Sequence, residues 1–332
     1  MGKKMTGIVN FRLLISVVNY CSAELVCSML PTLLRQIDTD TDRIVIVDNQ
    51  SPDSSVSVLK AFIKQNNYYE YVHLVESHKN GGFSYGNNLA IKTGKEIYNS
   101  APEYVWLLNP DTFVQSKTLD ALLTFMVSEP GAGIIGSRLE SNDGTVQGSA
   151  FRFCSIWSEL LSSLSIGILN KKFQSCLVTL PEMPDTSIEC DWVAGASMFV
   201  RYKVFEDAGL MDETYFLYFE ETDFCMQAKR AGWKCWYVPE SRVVHYVGQS
   251  TGVVSGDVQR RRRPKYWFQS RQHYFKKNYG VIYTMLTDLA WGLGFSLLKL
   301  RYLIQRKKGT DPEYMLRDFW RNSIFLSWLD RI

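Results

Sequence analysis

Two short acidic motifs carry the chemistry that this sequence offers. Asn109-Pro110-Asp111 closes an apolar run, Tyr104-Val105-Trp106-Leu107-Leu108, and Glu220-Glu221-Thr222-Asp223 opens a segment with helical spacing. An apolar run ended by Asn-Pro reads as a buried strand leading into a turn with one carboxylate at its tip. A carboxylate at the C-terminal edge of a parallel strand stands where open α/β sheets bind ligands. A hard divalent cation placed there bridges it to the phosphates of a substrate. As a bare tripeptide, Asn-Pro-Asp is also ordinary turn chemistry. The second motif has a plain reading too, since acidic residues in a first helical turn complement the helix dipole. However, residues 211–219 ahead of it are largely apolar and aromatic, which places these carboxylates in a partly desolvated setting. Desolvation raises a carboxyl pKa and makes the group a better base near neutral pH.

The elements that must position these groups are legible upstream. Leu13-Leu14-Ile15-Ser16-Val17-Val18 stops at Asn19-Tyr20, and Arg43-Ile44-Val45-Ile46-Val47 runs into Asp48-Asn49 and then Ser51-Pro52. Both runs are apolar without alternation, as expected of strands covered on both faces. Residues 24–36 between them carry a helical pattern, so the chain opens β-α-β. Each strand delivers a polar or aromatic residue at its C-terminal end. The Tyr20 ring either stacks on a base or plugs the end of the sheet. Asp48 suits a helix N-cap or an Asx turn as well as a ligand contact. Farther on, Asn80-Gly81-Gly82-Phe83 and Gly86-Asn87-Asn88 combine glycines that permit close backbone approach with side-chain amides. His245 follows a strand-like Ser241-Arg242-Val243-Val244, a position equally open to a structural histidine.

In this order, and joined by Trp192-Val193-Ala194-Gly195-Ala196, the motifs resemble those of family 2 glycosyltransferases over roughly residues 12–250. They are similar to the branch that holds bacterial rhamnosyl- and galactofuranosyltransferases. The resemblance implies an α/β GT-A fold, a Rossmann-like nucleotide-sugar-binding domain on a mixed central sheet. It also implies inverting transfer from a nucleotide-diphosphate sugar. By residue-for-residue match, the donor side is Asn19, Tyr20, Asp48 (accepting from the base N3–H), Asn80, Gly82, Asn87, Asn88, Asn109 and Asp111. Trp192, Gly195 and Ala196 fall on the acceptor side. Glu221 takes the position of the catalytic base, with Glu220 and Asp223 binding or orienting the acceptor. Many relatives have Asp at position 221, so the side chain here is one methylene longer. Asp111 and His245 fall on metal-contacting positions. Two protein ligands suit Mg²⁺ or Mn²⁺ held mainly by diphosphate and water. The resemblance favours dTDP-L-rhamnose as donor. Alternatives are a UDP-linked galactofuranose, glucose or N-acetylhexosamine, or an inactive scaffold that binds nucleotide sugars. The implied acceptor is a lipid-linked or polysaccharide glycan of the bacterial cell surface.

Composition fits this expectation. With 332 residues, 46% of them hydrophobic and 21% charged, the chain can bury a full α/β domain and an appendage. The expected division is a catalytic domain over residues 10–255 and a C-terminal helical region over 256–332. Seven cysteines without Cys-x-x-Cys spacing read as reduced thiols of a cytosolic protein. Residues 13–18 are too short and strand-like for a signal peptide. The formal charge of +3 hides a segregation, because residues 256–308 hold 13 Lys and Arg against Asp257 and Asp288. Within that block residues 281–304 are almost wholly apolar, with Thr284, Asp288, Ser296 and Lys299 spaced as one narrow helical stripe. Asp288 and Lys299 make a transmembrane span costly. An interfacial helix on an anionic membrane surface is the expectation, at the inner face of the plasma membrane. A helix packed on the catalytic domain or in a homodimer is the other reading. A basic stretch can bind nucleic acid, but no DNA- or RNA-reading motif accompanies this one, so a nucleic-acid partner is not expected.

Overall fold

A computed structural model describes residues 11–246, 262–307 and 309–327. The strands are β1 (Leu13–Asn19), β2 (Asp42–Asp48), β3 (Val72–Glu76), β4 (Tyr104–Leu108), β5 (Thr112–Val114) and β6 (Ala132–Glu140). They continue as β7 (Ala150–Phe151), β8 (Ile188–Cys190), β9 (Trp192–Val193), β10 (Ser197–Arg201) and β11 (Lys234–His245). The helices are α1 (Ala23–Leu34), α2 (Ser55–Gln65), α3 (Gly82–Tyr98), α4 (Thr118–Ser128) and α5 (Ile156–Leu164). After them come α6 (Gly167–Lys172), α7 (Tyr202–Ala208), α8 (Glu220–Arg230), α9 (Lys265–Ile304) and α10 (Met315–Arg321).

The main sheet runs β3-β2-β1-β4-β10-β6-β11-β5, with β8 paired to β11. Strands β1 to β4 are mutually parallel, whereas β10 lies antiparallel between β4 and β6. This is the mixed sheet the motifs imply. Because side chains alternate along a strand, β1 sends Leu13, Ile15 and Val17 into a core beneath α1, α2 and α4. Leu14 enters the opposite core, under α3, α7 and α8. Trp106 and Leu107 of β4 divide in the same way. Burial on both faces explains why these strands show no alternation in the sequence. The parallel strands all deliver their last residues to one edge, and the functional motifs follow there.

The C-terminal region is built around α9, which breaks at Gly280, where φ is +85°. Its first half lies against α8, and its second half packs on α5 and α10 around Trp291, Phe295, Leu298 and Phe319. The polar stripe of α9 turns toward the protein. Thr284 and Asp288 face the protein, and Asp288 pairs at 2.5 Å with the buried Arg271, which also holds Glu159 at 2.5 Å. Lys299 pairs with Asp311 at 2.6 Å. The outward face carries Ile282, Leu286, Leu293, Leu297, Leu300 and Leu303, all exposed. Among the described residues this is the one helix long and apolar enough to cross a membrane, by length and composition. Arg260, Arg261, Lys308 and the expected boundary at residue 255 lie outside the described residues. All seven cysteines are free thiols.

Candidate active site

The C-terminal ends of β1, β2 and β4 open into a cavity of about 450 Å³. Tyr20, Asn80, Gly82 and Asn109 line it, as the sequence leads one to expect, together with Phe216 and Tyr266. The Tyr20 ring is half exposed, free to lie against a planar ligand. Gly82 has φ +82°, and a Cβ there would stand 1.9 Å from the Phe216 carbonyl oxygen. Only glycine lets the start of α3 meet the loop before α8 so closely.

Asn19 and Asp48 lie one layer behind. The Asn19 amide donates to Asp48 at 2.7 Å, and Ser51 donates to the same carboxylate through its backbone N–H at 2.9 Å and its hydroxyl at 2.7 Å. Three of the carboxylate's roughly four acceptor sites are therefore taken. Asp48 accepts from the backbone N–H three residues on, as a capping carboxylate does, and its side chain shapes the loop after β2. Sequence reasoning passed over its neighbour. Asn49 lines the cavity, and its amide N–H donates to the Gly82 carbonyl at 2.9 Å. Its buried Oδ1 has no hydrogen-bond donor among the described residues. A buried acceptor left open beside a cavity is placed to receive an N–H from a ligand.

Asn87 and Asn88 do not reach the cavity, which corrects the expectation that they bind donor. Asn87 accepts from Ser16 at 2.7 Å and donates to the Phe83 carbonyl, both inside the fold. Asn88 exchanges hydrogen bonds with the backbone of Met211 and donates to Glu213 at 2.9 Å. Both amides clamp α3 to its neighbours.

Asp111 and His245, 134 positions apart in the chain, come together with Nε2 3.5 Å from Oδ1. Gln147 fixes the ring. Its amide N–H donates to the His245 carbonyl at 2.9 Å and to Ser141 at 3.0 Å, so its Oε1 faces Nδ1 at 3.2 Å as an acceptor. Nδ1 then carries the proton, and Nε2 turns a lone pair toward the carboxylate. Two electron-rich atoms facing each other at this spacing suit a shared cation, since adjacent ligands on octahedral bonds of about 2.1 Å lie about 3 Å apart. Among the described residues no group of three or more His, Cys, Asp or Glu is placed to hold a metal ion. The pair thus fits a divalent ion completed by substrate oxygens and water. Gln147 left no mark in the sequence that a motif search would find.

Across the cavity, Tyr218 and Phe219 both adopt left-handed backbone, φ +71° and +68°, immediately before Glu220. Bulky residues rarely accept this conformation, and such strain gathers at functional sites. Glu220 and Glu221 follow, each with an Oε2 that is buried and unpartnered among the described residues. Burial raises the pKa of both carboxyls, and Glu220, which also faces the charge of Glu221, is raised further. Asp223 points elsewhere. It pairs with Lys277 at 2.6 Å and accepts from Asn278 at 2.7 Å, tying α8 to α9. The expectation that it orients the acceptor is replaced by an anchoring role, and its partners lie over 50 residues downstream.

On the expected acceptor side, Trp192 stacks on Phe151 at 4.1 Å and donates to the Arg152 carbonyl, so its ring is held within the β7–β9 ribbon. A Cβ on Gly195 would sit 3.2 Å from the Phe83 ring and 3.9 Å from the Glu221 Cβ. The Ala196 carbonyl accepts from Asn109 N–H at 3.0 Å. Gly195 and Ala196 thus lie between Glu221 and the cavity residues Phe83 and Asn109.

A mixed α/β sheet with its motifs at one strand edge, a facing Asp111–His245 pair and the buried Glu220–Glu221 carboxyls go with the GT-A glycosyltransferase fold. The comparisons with known proteins agree. The chain belongs to the glycosyl transferase family 2 enzymes: residues 104–306 match the glycosyl transferase family group 2 model, and residues 14–174 match glycosyl transferase family 2. It is similar to the N-acetylglucosaminyl-diphospho-decaprenol L-rhamnosyltransferase of Mycobacterium tuberculosis, 26% identical over 67% of this chain and 73% of that one. It is also similar to the rhamnosyltransferase WbbL of Escherichia coli, 26% identical over 64% of this chain and 77% of that one. Among solved structures, the mannosyltransferase of Pyrobaculum calidifontis in complex with GDP-Man and Mn²⁺ shares the fold. Its TM-score is 0.56 at 14% identity, covering 90% of this chain and 76% of the other.

Proposed function

We propose that this enzyme transfers a sugar, L-rhamnose from dTDP-L-rhamnose as first choice, with inversion to a hydroxyl of a lipid-linked glycan. The work is done at the cytoplasmic face of the plasma membrane. The observation that carries the reading is the meeting of Asp111 and His245 next to Asn109 and Pro110 of the cavity that Tyr20 and Asn49 line, with Glu221 near Gly195, which packs on the cavity residue Phe83. The rhamnose assignment is supported by the names of two relatives. The membrane assignment is supported by the exposed apolar face of α9 and the cations at its two ends.

Tyr20 stacks on the base, and the open Oδ1 of Asn49 accepts from it. Asp111 and His245 hold Mg²⁺ or Mn²⁺, which neutralises the diphosphate charge when bound. Glu221 takes the proton from the acceptor hydroxyl as that oxygen's lone pair forms the new bond to C1. The C1–O bond to the diphosphate breaks, and the nucleoside diphosphate leaves with the bonding pair. The neighbouring carboxyls of Glu220 and Glu221 share a single negative charge, which the buried site tolerates better than two.

A thermal-shift screen of dTDP-, UDP- and GDP-sugars with and without Mn²⁺ tests this reading. A bound ligand stabilises the folded state by RT ln(1 + [L]/Kd), about 2.7 kcal/mol at a hundredfold excess over Kd. A shift confined to dTDP-L-rhamnose with metal is expected. A shift with a UDP-sugar alone would change the donor, and no shift with any would remove the reading.

A further inference from the structure

A second cavity, of about 790 Å³, is distinct from the donor cavity. It lies between the N-terminal turn of α9 and α10, and Arg262, Arg263, Lys265 and Arg321 line it with Phe268 and Leu326. Asp318, its one carboxylate among the described lining residues, is committed to Arg262 at 2.5 Å and Arg317 at 3.3 Å. Arg263 lies over the Trp267 ring at 5.3 Å, and Arg321 has no carboxylate within 4 Å among the described residues. Among the described residues, Arg263 and Arg321 thus face the cavity with no carboxylate paired to them, beside an apolar wall.

Its place in the fold decides what the charge is for. Tyr266, in the same helical turn, lines the donor cavity and stacks on Tyr218. Ser270, one turn later, donates to the Leu217 carbonyl at 3.0 Å, seating the loop that presents Glu220 and Glu221. Burial raises the Tyr218 phenol, and the positive charge of Arg263 opposes that rise, so the guanidinium is felt at this loop. In the other direction α9 continues into its outward apolar face. An anionic group in the cavity would thus have the catalytic carboxylates on one side and a hydrocarbon-compatible surface on the other.

We infer that this cavity binds the diphosphate of a lipid-linked acceptor, with Arg263 and Arg321 as its charge-assisted donors and the hydrocarbon chain running along α9. The inference rests on the transferase reading above. Guanidinium groups suit this task because their planar fork pairs bidentately with phosphate oxygens.

The test is calorimetric titration of the full chain with geranyl diphosphate, in parallel with inorganic pyrophosphate, a short-chain phosphatidylglycerol and dTDP. Arg263→Gln and Arg321→Gln should each weaken geranyl diphosphate binding by on the order of tenfold. Arg321→Lys should recover part of the loss. Both arginines are exposed, so a melting curve matching wild type is expected and shows that the fold is kept. The affinity for dTDP should stay within about twofold, because the two cavities are separate. Unchanged geranyl diphosphate affinity in both variants overturns the inference, as does displacement of geranyl diphosphate by dTDP. Equal affinity for pyrophosphate, or for the phosphatidylglycerol, with the same arginine dependence overturns the acceptor assignment in favour of a general phosphate or lipid site. Failure of wild type to bind any nucleoside diphosphate is a different result, and it removes the transferase reading itself.

Discussion

At the residue scale the site turns on two carboxyls that share one buried space. Glu221→Gln should keep donor affinity and lose on the order of 10²–10⁴-fold in turnover, as expected when a general base is removed. Single-turnover rates beside donor titration separate the two effects, and a near-normal rate with Glu220→Gln inactive would move the base by one position. Glu220 yields a second prediction, in stability. Its carboxyl pKa is raised in the folded state, so above the ordinary carboxyl range the native protein still holds a proton that the unfolded chain has released. Stability conferred by that proton is present at low pH and is lost as pH rises through the folded pKa. Glu220→Gln removes this dependence. In urea unfolding from pH 5 to pH 9 the variant should gain on wild type by up to about 1.4 kcal/mol per pH unit within the window, then level off. A pH-independent difference would contradict the buried-pair account. The sequence showed these carboxyls because a helix start after an aromatic run is a local pattern. It did not show that Asp223 is taken by Lys277 and Asn278, or that Asn87 and Asn88 face inward. Those facts depend on partners far away in the chain.

At the element scale, β1, β2 and β4 were legible because strands covered on both faces have uniform apolar runs, and α1, expected over residues 24–36, falls at Ala23–Leu34. The pairing of β10 antiparallel to β4 was not legible, since nothing in Ser197–Arg201 records its neighbours. Nor was the facing of α9. A polar stripe fixes the period of a helix but not the side on which the protein lies. What turned the stripe inward is Arg271, fully buried between Glu159 and Asp288. Removing one member of such a group leaves uncompensated buried charge. Arg271→Met should therefore cost about 3–5 kcal/mol of stability, measured by urea unfolding. A loss below about 1 kcal/mol, the range of exposed pairs, would show that the group is solvated and that α9 is not held in this way.

At the scale of the whole molecule, the charge segregation and the outward leucines of α9 describe one surface, apolar along its middle and cationic at its ends. Changing Leu293, Leu297 and Leu300 to Gln should leave the melting temperature nearly unchanged, because all three are exposed. At roughly 1.5 kcal/mol or more for each leucine buried in lipid, flotation with anionic vesicles should fall by about three orders of magnitude in partition. Added salt should weaken what remains, because screening acts over about 8–10 Å. Unchanged flotation, with a dimer in sedimentation that the substitutions dissolve, would assign the face to a second copy instead.

The central claim is that donor binding runs through a cation held by Asp111 and His245. Its most direct measurement is the affinity of the donor nucleoside diphosphate for wild type and Asp111→Asn, titrated with Mn²⁺ and again with EDTA. Wild type should bind at least about tenfold more tightly with Mn²⁺ than with EDTA, and Asp111→Asn should bind weakly and equally in both. Equal affinity of wild type in the two conditions, or full metal dependence retained by Asp111→Asn, would contradict the account.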